Sequence, residues 1–166
     1  MKDKKISKTT IGIIIALVVV LIGVLFFEKS LKRVIPEDQA YKIAKASGFD
    51  PNRVSNYYST DQTVAKDAVI FYDKKGTEYY VNLSYMNSEA EAQAVMRETL
   101  EPIKVLVNTM GYTPTTKKKW NFESYELKTN NSYDYIAVIK DSVLVIHANN
   151  NKYTKKLQEY TKNIHY

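Results

Sequence analysis

The chain has 166 residues, with 24 Lys plus Arg against 18 Asp plus Glu, and no cysteine. The missing thiol excludes a cysteine nucleophile, a thiolate zinc site and a lipid-modified cysteine. The net charge of +6 gives little support to a nucleic-acid partner, because residues 1–10 carry +3, residues 28–35 carry +2, and only +1 is left for residues 36–166.

Residues 1–10 form a basic N-terminal tail containing Lys2, Lys4, Lys5 and Lys8. Ile11 to Phe27, IGIIIALVVVLIGVLFF, contains no charge. As a helix it would cover about 25 Å, and it reads as a transmembrane segment. A cleaved signal peptide would carry a shorter apolar core of about 7–15 residues and then small residues at the cut site. Here the run is longer and is followed by Glu28, Lys29, Ser30, Leu31, Lys32 and Arg33, which points to an uncleaved anchor. Four basic residues precede the run and three follow it, so the positive-inside rule places the N-terminus in the cytoplasm and the domain outside by a narrow margin. The flanking cations suit anionic lipid heads. Residues 28–35 make a juxtamembrane connection that reaches at most about 28 Å, so the single domain at 36–166 works close to the bilayer.

Within that domain, Pro36 followed by Glu37 and Asp38 marks a first helical turn. Ala40, Ile43, Ala44 and Ser47 keep helical spacing up to Gly48. Strands follow at Val54 to Ser59, Ala68 to Asp73 and Thr77 to Tyr85, with Lys74-Lys75-Gly76 turning the second into the third. Ser88 and Glu91 fit a capping box. Ala92, Val95, Met96, Thr99, Leu100, Ile103, Leu106, Val107 and Met110 then form one apolar stripe that stops at Gly111. Pro102 interrupts that helix and should kink or restart it. Next come a loop at Thr113-Pro114-Thr115-Thr116 and strands at Lys119 to Lys128, Tyr133 to Lys140 and Ser142 to Ala148. The all-apolar runs Ile136 to Ile139 and Val143 to Ile146 should be central. A last helix starts near Asn151, with Tyr153, Leu157, Tyr160 and Ile164 on one face.

The order is α-βββ-α-βββ-α, an α+β fold with mostly antiparallel strands. The two halves look alike in order but share no residue-level repeat. The segment PEDQAYKIAKASGF followed by three strands resembles the opening of the PepSY modules of bacterial exported and membrane proteins, through helix-forming residues and no diagnostic motif.

Catalytic and cofactor constellations are missing from the pattern. There is no G-x-S-x-G, no Walker loop and no dinucleotide glycine fingerprint. Glu89, Glu91, Glu98 and Glu101 sit on an amphipathic helix as a solvated face. Glu123 and Glu126 have opposite parity in one strand and cannot act as a carboxylate pair. His147 reads as a hydrogen-bonded structural histidine, and His165 falls where chain ends are usually disordered. The chain is therefore read as no enzyme, with no cofactor and no metal.

Two features remain as binding determinants. Lys117, Lys118, Lys119 and Trp120, joined by Lys152, Lys155 and Lys156 if the fold brings them near, could contact an anionic surface. Among the fourteen tyrosines, Tyr57, Tyr58, Tyr79 and Tyr80 lie in strands where adjacent residues face opposite ways, so some should be exposed at an interface. The sequence thus predicts a single-pass, membrane-anchored, non-catalytic binding or accessory module whose partners are membrane lipid and another envelope protein. The alternative is a membrane-bound sensor or regulatory subunit for a small ligand or peptide, which requires a concave, polar-lined pocket.

Overall fold

A computed structural model describes residues 16–20, 32–60 and 63–166. The chain divides into two compact units, Met1–Leu31 and Lys32–Tyr166. In the first, residues 16–20 are helical with exposed side chains. The rest of the apolar run at 11–27, the basic tail and residues 28–31 lie outside the described residues. No described helix is long and apolar enough to cross a membrane.

The second unit contains α1 (Glu37–Ala46), β1 (Asn52–Tyr58), β2 (Val64–Tyr72), β3 (Tyr79–Tyr85), α2 (Glu89–Met110), β4 (Thr115–Lys119), β5 (Phe122–Lys128), β6 (Tyr133–Ile139), β7 (Ser142–Ala148), a short 3-10 turn at Asn151–Tyr153, and α3 (Thr154–Asn163). The strands make one antiparallel sheet in the order β1-β2-β3-β7-β6-β5-β4. The α+β class and the antiparallel pairing agree with the sequence pattern, but the order is α-βββ-α-ββββ-α, with one strand more than expected. The run expected as one strand from Lys119 is broken by a two-residue turn at Trp120 and Asn121, and the residues before it fold back as β4. Every β4 side chain is exposed, so this strand is held by backbone pairing to β5 and carries none of the apolar alternation that marks a half-buried strand.

Helices cover both faces of the sheet. On one face Ala40 and Ala44 of α1, Leu157 and Tyr160 of α3, and Ile164 just after α3 pack with Val69, Phe71, Val81, Leu83, Leu144 and Ile146. Phe49 stacks on Phe71 at 4.5 Å between ring centroids, and Tyr160 meets Phe71 edge-on at 5.0 Å. Ile35, from the stretch assigned to the juxtamembrane connection, is buried in this core. So are Ile164 and Tyr166, so the last residues are packed and the disorder expected around His165 is absent.

On the other face Ala92, Val95, Met96 and Leu100 of α2 pack on Ile136, Val138 and Val143. Ser88 caps α2 by accepting a hydrogen bond from the Glu91 N–H at 3.2 Å. Gly111 closes it in the left-handed conformation at φ 70°, with its N–H on the Val107 carbonyl. The helix runs through Pro102 without restarting. Pro102 and Glu98 both lie on its solvent side, where water can meet the carbonyl that proline leaves unbonded.

Candidate functional site

The stripe on α2 is buried only in its first half. After Leu100 only Val107 is fully buried, while Val105, Leu106 and Met110 are 65%, 51% and 58% exposed. Between this outer half and strands β6 and β7 lies a groove of about 310 Å³ whose apolar wall is Pro102, Ile103, Leu106, Ile136 and Val145. Its polar wall is Thr99, Asp134 and His147. The register explains the arrangement: Ile136 pairs with Val145 and Asp134 with His147 across the β6–β7 hairpin, so all four point to the α2 face.

His147 Nδ1 lies 2.6 Å from Asp134 Oδ1, and Nε2 lies 2.9 Å from Asn149 Oδ1. Asn149 spends its amide nitrogen on the Thr77 carbonyl at 3.1 Å, which leaves its oxygen as the acceptor for the ring. Both ring nitrogens therefore face acceptors, and the doubly protonated imidazolium satisfies both. The hydrogen bond to Asp134 raises the His147 pKa above its ordinary 6.5; partial burial opposes this, while the Asp134 charge and Asn149 add to it. Thr99 Oγ1 donates to the Val95 carbonyl at 2.8 Å, so it too is engaged. A carboxylate and a hydroxyl thus share a cleft with His147, and both of its ring nitrogens are already engaged, by Asp134 and by Asn149. Among the described residues no group of three or more His, Asp or Glu side chains gathers as a metal site.

This pair has a testable pH signature. A histidine whose pKa is raised by folding adds stability below its unfolded value near 6.5, and that contribution is lost as pH rises through the folded value. The wild-type chain is expected to lose unfolding free energy as pH rises above the unfolded value near 6.5, and Asp134→Asn is expected to flatten that slope over the same window. Denaturant midpoints across the window measure it, and an identical slope in the variant would refute the ion-pair assignment.

The residues singled out in the sequence are divided by the fold. Lys117, Lys118 and Lys119 lie on β4, and Trp120, 83% exposed, is at the tip of the β4–β5 hairpin. Lys118 pairs with Glu123 at 3.1 Å. Asn121 binds the backbone of Lys32 through both amide atoms, donating to its carbonyl at 2.5 Å and accepting its N–H at 3.2 Å. The Lys32 ammonium donates to the His165 carbonyl at 2.8 Å and sits 5.1 Å from the centre of the Phe122 ring.

Lys152 and Lys156 belong to the opposite end of the sheet. Lys152 pairs with Glu78 at 2.9 Å, beside the Tyr79–Ala148 register position. Lys156 donates to the Gly48 carbonyl and lies over Phe49, while Lys155 is exposed on α3. The tyrosines also separate. Tyr58 is exposed, the Tyr57 and Tyr80 hydroxyls bond each other at 2.6 Å, and Tyr79 is half-buried between Phe49 and Tyr153. No flat tyrosine surface is formed by these four.

A second concavity of about 400 Å³ lies on the α3 face, walled by Lys32, Lys117, Glu126, Tyr133, Gln158 and Lys162. It is polar, as the ligand-sensing alternative requires. The Asp134–His147 contact was missed in the sequence although one signal points to it. A two-residue turn at Lys140-Asp141 sets the hairpin register, and that register places residue 134 opposite 147.

No protein-family model matches the chain, and no curated protein sequence matches it significantly. Among solved structures the chain is similar to a GTP binding regulator from Thermotoga maritima, with a TM-score of 0.46 and 10% identity, over 79% of this chain and 85% of that one. It is also similar to the extracellular domain of PknH from Mycobacterium tuberculosis, with a TM-score of 0.39 and 13% identity, over 79% of this chain and 90% of that one.

Proposed function

We propose that the chain is a single-pass, membrane-anchored, non-catalytic binding module of an envelope assembly, gripping an apolar segment of a partner protein beside α2. The carrying observation is the groove formed by Pro102, Ile103, Leu106, Ile136 and Val145 together with the exposed Val105 and Met110. A volume of about 310 Å³ is at the small end of ligand pockets and suits one or two inserted apolar side chains. The apolar surface continues past the groove along the outside of the helix, where a solvated helix would carry polar residues. A partner helix or strand uses such an extended stripe, and a small molecule does not. The engaged state of His147 favours binding over acid–base catalysis, and the uncharged run at 11–27 supplies the anchor.

The test is photo-cross-linking in native membranes from a benzophenone amino acid placed at Val105 of the full chain, with Tyr58 as the control position. A protein adduct is expected at 105 and not at 58, reduced at least tenfold by Leu106→Lys, since hot-spot losses of 2 kcal/mol or so exceed a factor of ten. An adduct that Leu106→Lys leaves intact would overturn the groove assignment. Adducts at neither position would leave the sensor reading, with the polar cleft on the α3 face as its site.

A further inference from the structure

We propose that the tip of the β4–β5 hairpin, with Trp120 at its apex and Lys32, Lys117 and Lys119 behind it, lies on an anionic bilayer surface. The inference rests on anchoring through residues 11–27 and is independent of what fills the groove.

Position is the first argument. The double hydrogen bond from Asn121 fastens the hairpin tip to Lys32, the first residue of the folded unit. Only residues 28–31 separate Phe27 from Lys32 in the sequence. With the apolar run in the bilayer, five chain steps reach about 18 Å at most, so the tip is tethered near the headgroups whatever path those residues take.

Chemistry is the second. Trp120 is 83% exposed, so most of a large amphipathic ring faces outward, and the membrane–water interface is where such rings are enriched. The third is charge. Strand parity puts Lys117 and Lys119 on one face of β4 and turns Lys118 to the other, where Glu123 neutralises it. Lys32 lines the same cleft as Lys117, and burial lowers its pKa most, followed by the charges of Lys119 and then Lys117. Three ammonium groups held together repel one another, and an anionic surface relieves that repulsion. Lys152 and Lys156 are excluded from this surface by their place, bonded to Glu78 and to the Gly48 carbonyl at the other end of the sheet.

Trp120 is the single tryptophan of the chain and reports on its own surroundings. The full chain is reconstituted into phosphatidylcholine vesicles with and without phosphatidylglycerol, each with or without doxyl-labelled lipid. Emission from Trp120 is expected to shift to the blue and to be quenched by the doxyl group, more strongly with phosphatidylglycerol. The double variant Lys117→Gln, Lys119→Gln is expected to lose at least half of the phosphatidylglycerol-dependent quenching, and Lys118→Gln to keep it. A chain that floats with the vesicles but shows unquenched, water-like emission overturns the hairpin contact alone. A chain that does not float overturns the anchor and the contact together. Quenching equal in both lipids, or a shift produced by soluble polyphosphate and not by vesicles, also overturns it, the latter in favour of an anionic polymer.

Discussion

Replacing Tyr166 by alanine is expected to lower the unfolding free energy by about 3–5 kcal/mol, the range for deleting a large aromatic side chain from a core. The ring is buried among the residues that join α1 and α3 to the sheet, and its hydroxyl bonds Ser142 Oγ, which itself donates to the Ile139 carbonyl at 2.8 Å. Burial pushes the Tyr166 hydroxyl well above its ordinary pKa, so it stays protonated and remains a donor. Tyr166→Phe keeps the ring and loses one buried hydrogen bond, so its expected cost is about 1 kcal/mol. Urea unfolding followed by circular dichroism separates the two. Equal, near-zero losses would show that the end of the chain does not contribute to the core.

Pro102→Ala is expected to act in the opposite direction, raising the unfolding free energy by up to about 3 kcal/mol, the difference between proline and alanine inside a helix. The substitution restores the N–H that proline lacks and frees the Glu98 carbonyl from the ring. Pro102 also forms part of the groove wall, so the stabilised variant is expected to give a weaker cross-link from position 105. Stability gained together with binding lost would show that the helix is held in a costly form for its partner. A variant less stable than wild type would mean that the outer half of α2 packs well only as the proline shapes it.

Much of the fold was legible because it is encoded locally. The capping residues Ser88 and Glu91, the αL stop at Gly111 and the spacing of Ala92, Val95, Met96 and Leu100 specify α2 before any tertiary contact is known. The apolar runs of β6 and β7 likewise announce central strands, and β7 is the middle strand of the sheet. β4 was not legible, because an edge strand of Thr and Lys side chains needs only backbone partners and shows no alternation. The site was less legible than the fold. Leu106 and Met110 continue the same stripe as Leu100, and periodicity cannot tell which part of a stripe is covered.

The sequence by itself determined the class of the domain, the position of its long helix, the uncharged run before it, and the absence of thiol chemistry. These follow from side-chain type and from periods of two and of 3.6 residues, which act over a few neighbours. Only the tertiary structure decided that Lys152 and Lys156 lie at the opposite end of the sheet from the lysines of β4, that Asn121 ties the hairpin tip to Lys32, and that Asp134 holds His147 beside an apolar groove. Those contacts join residues 13 to 89 positions apart. They depend on strand order and register across the whole sheet, and no local pattern in the chain carries that information.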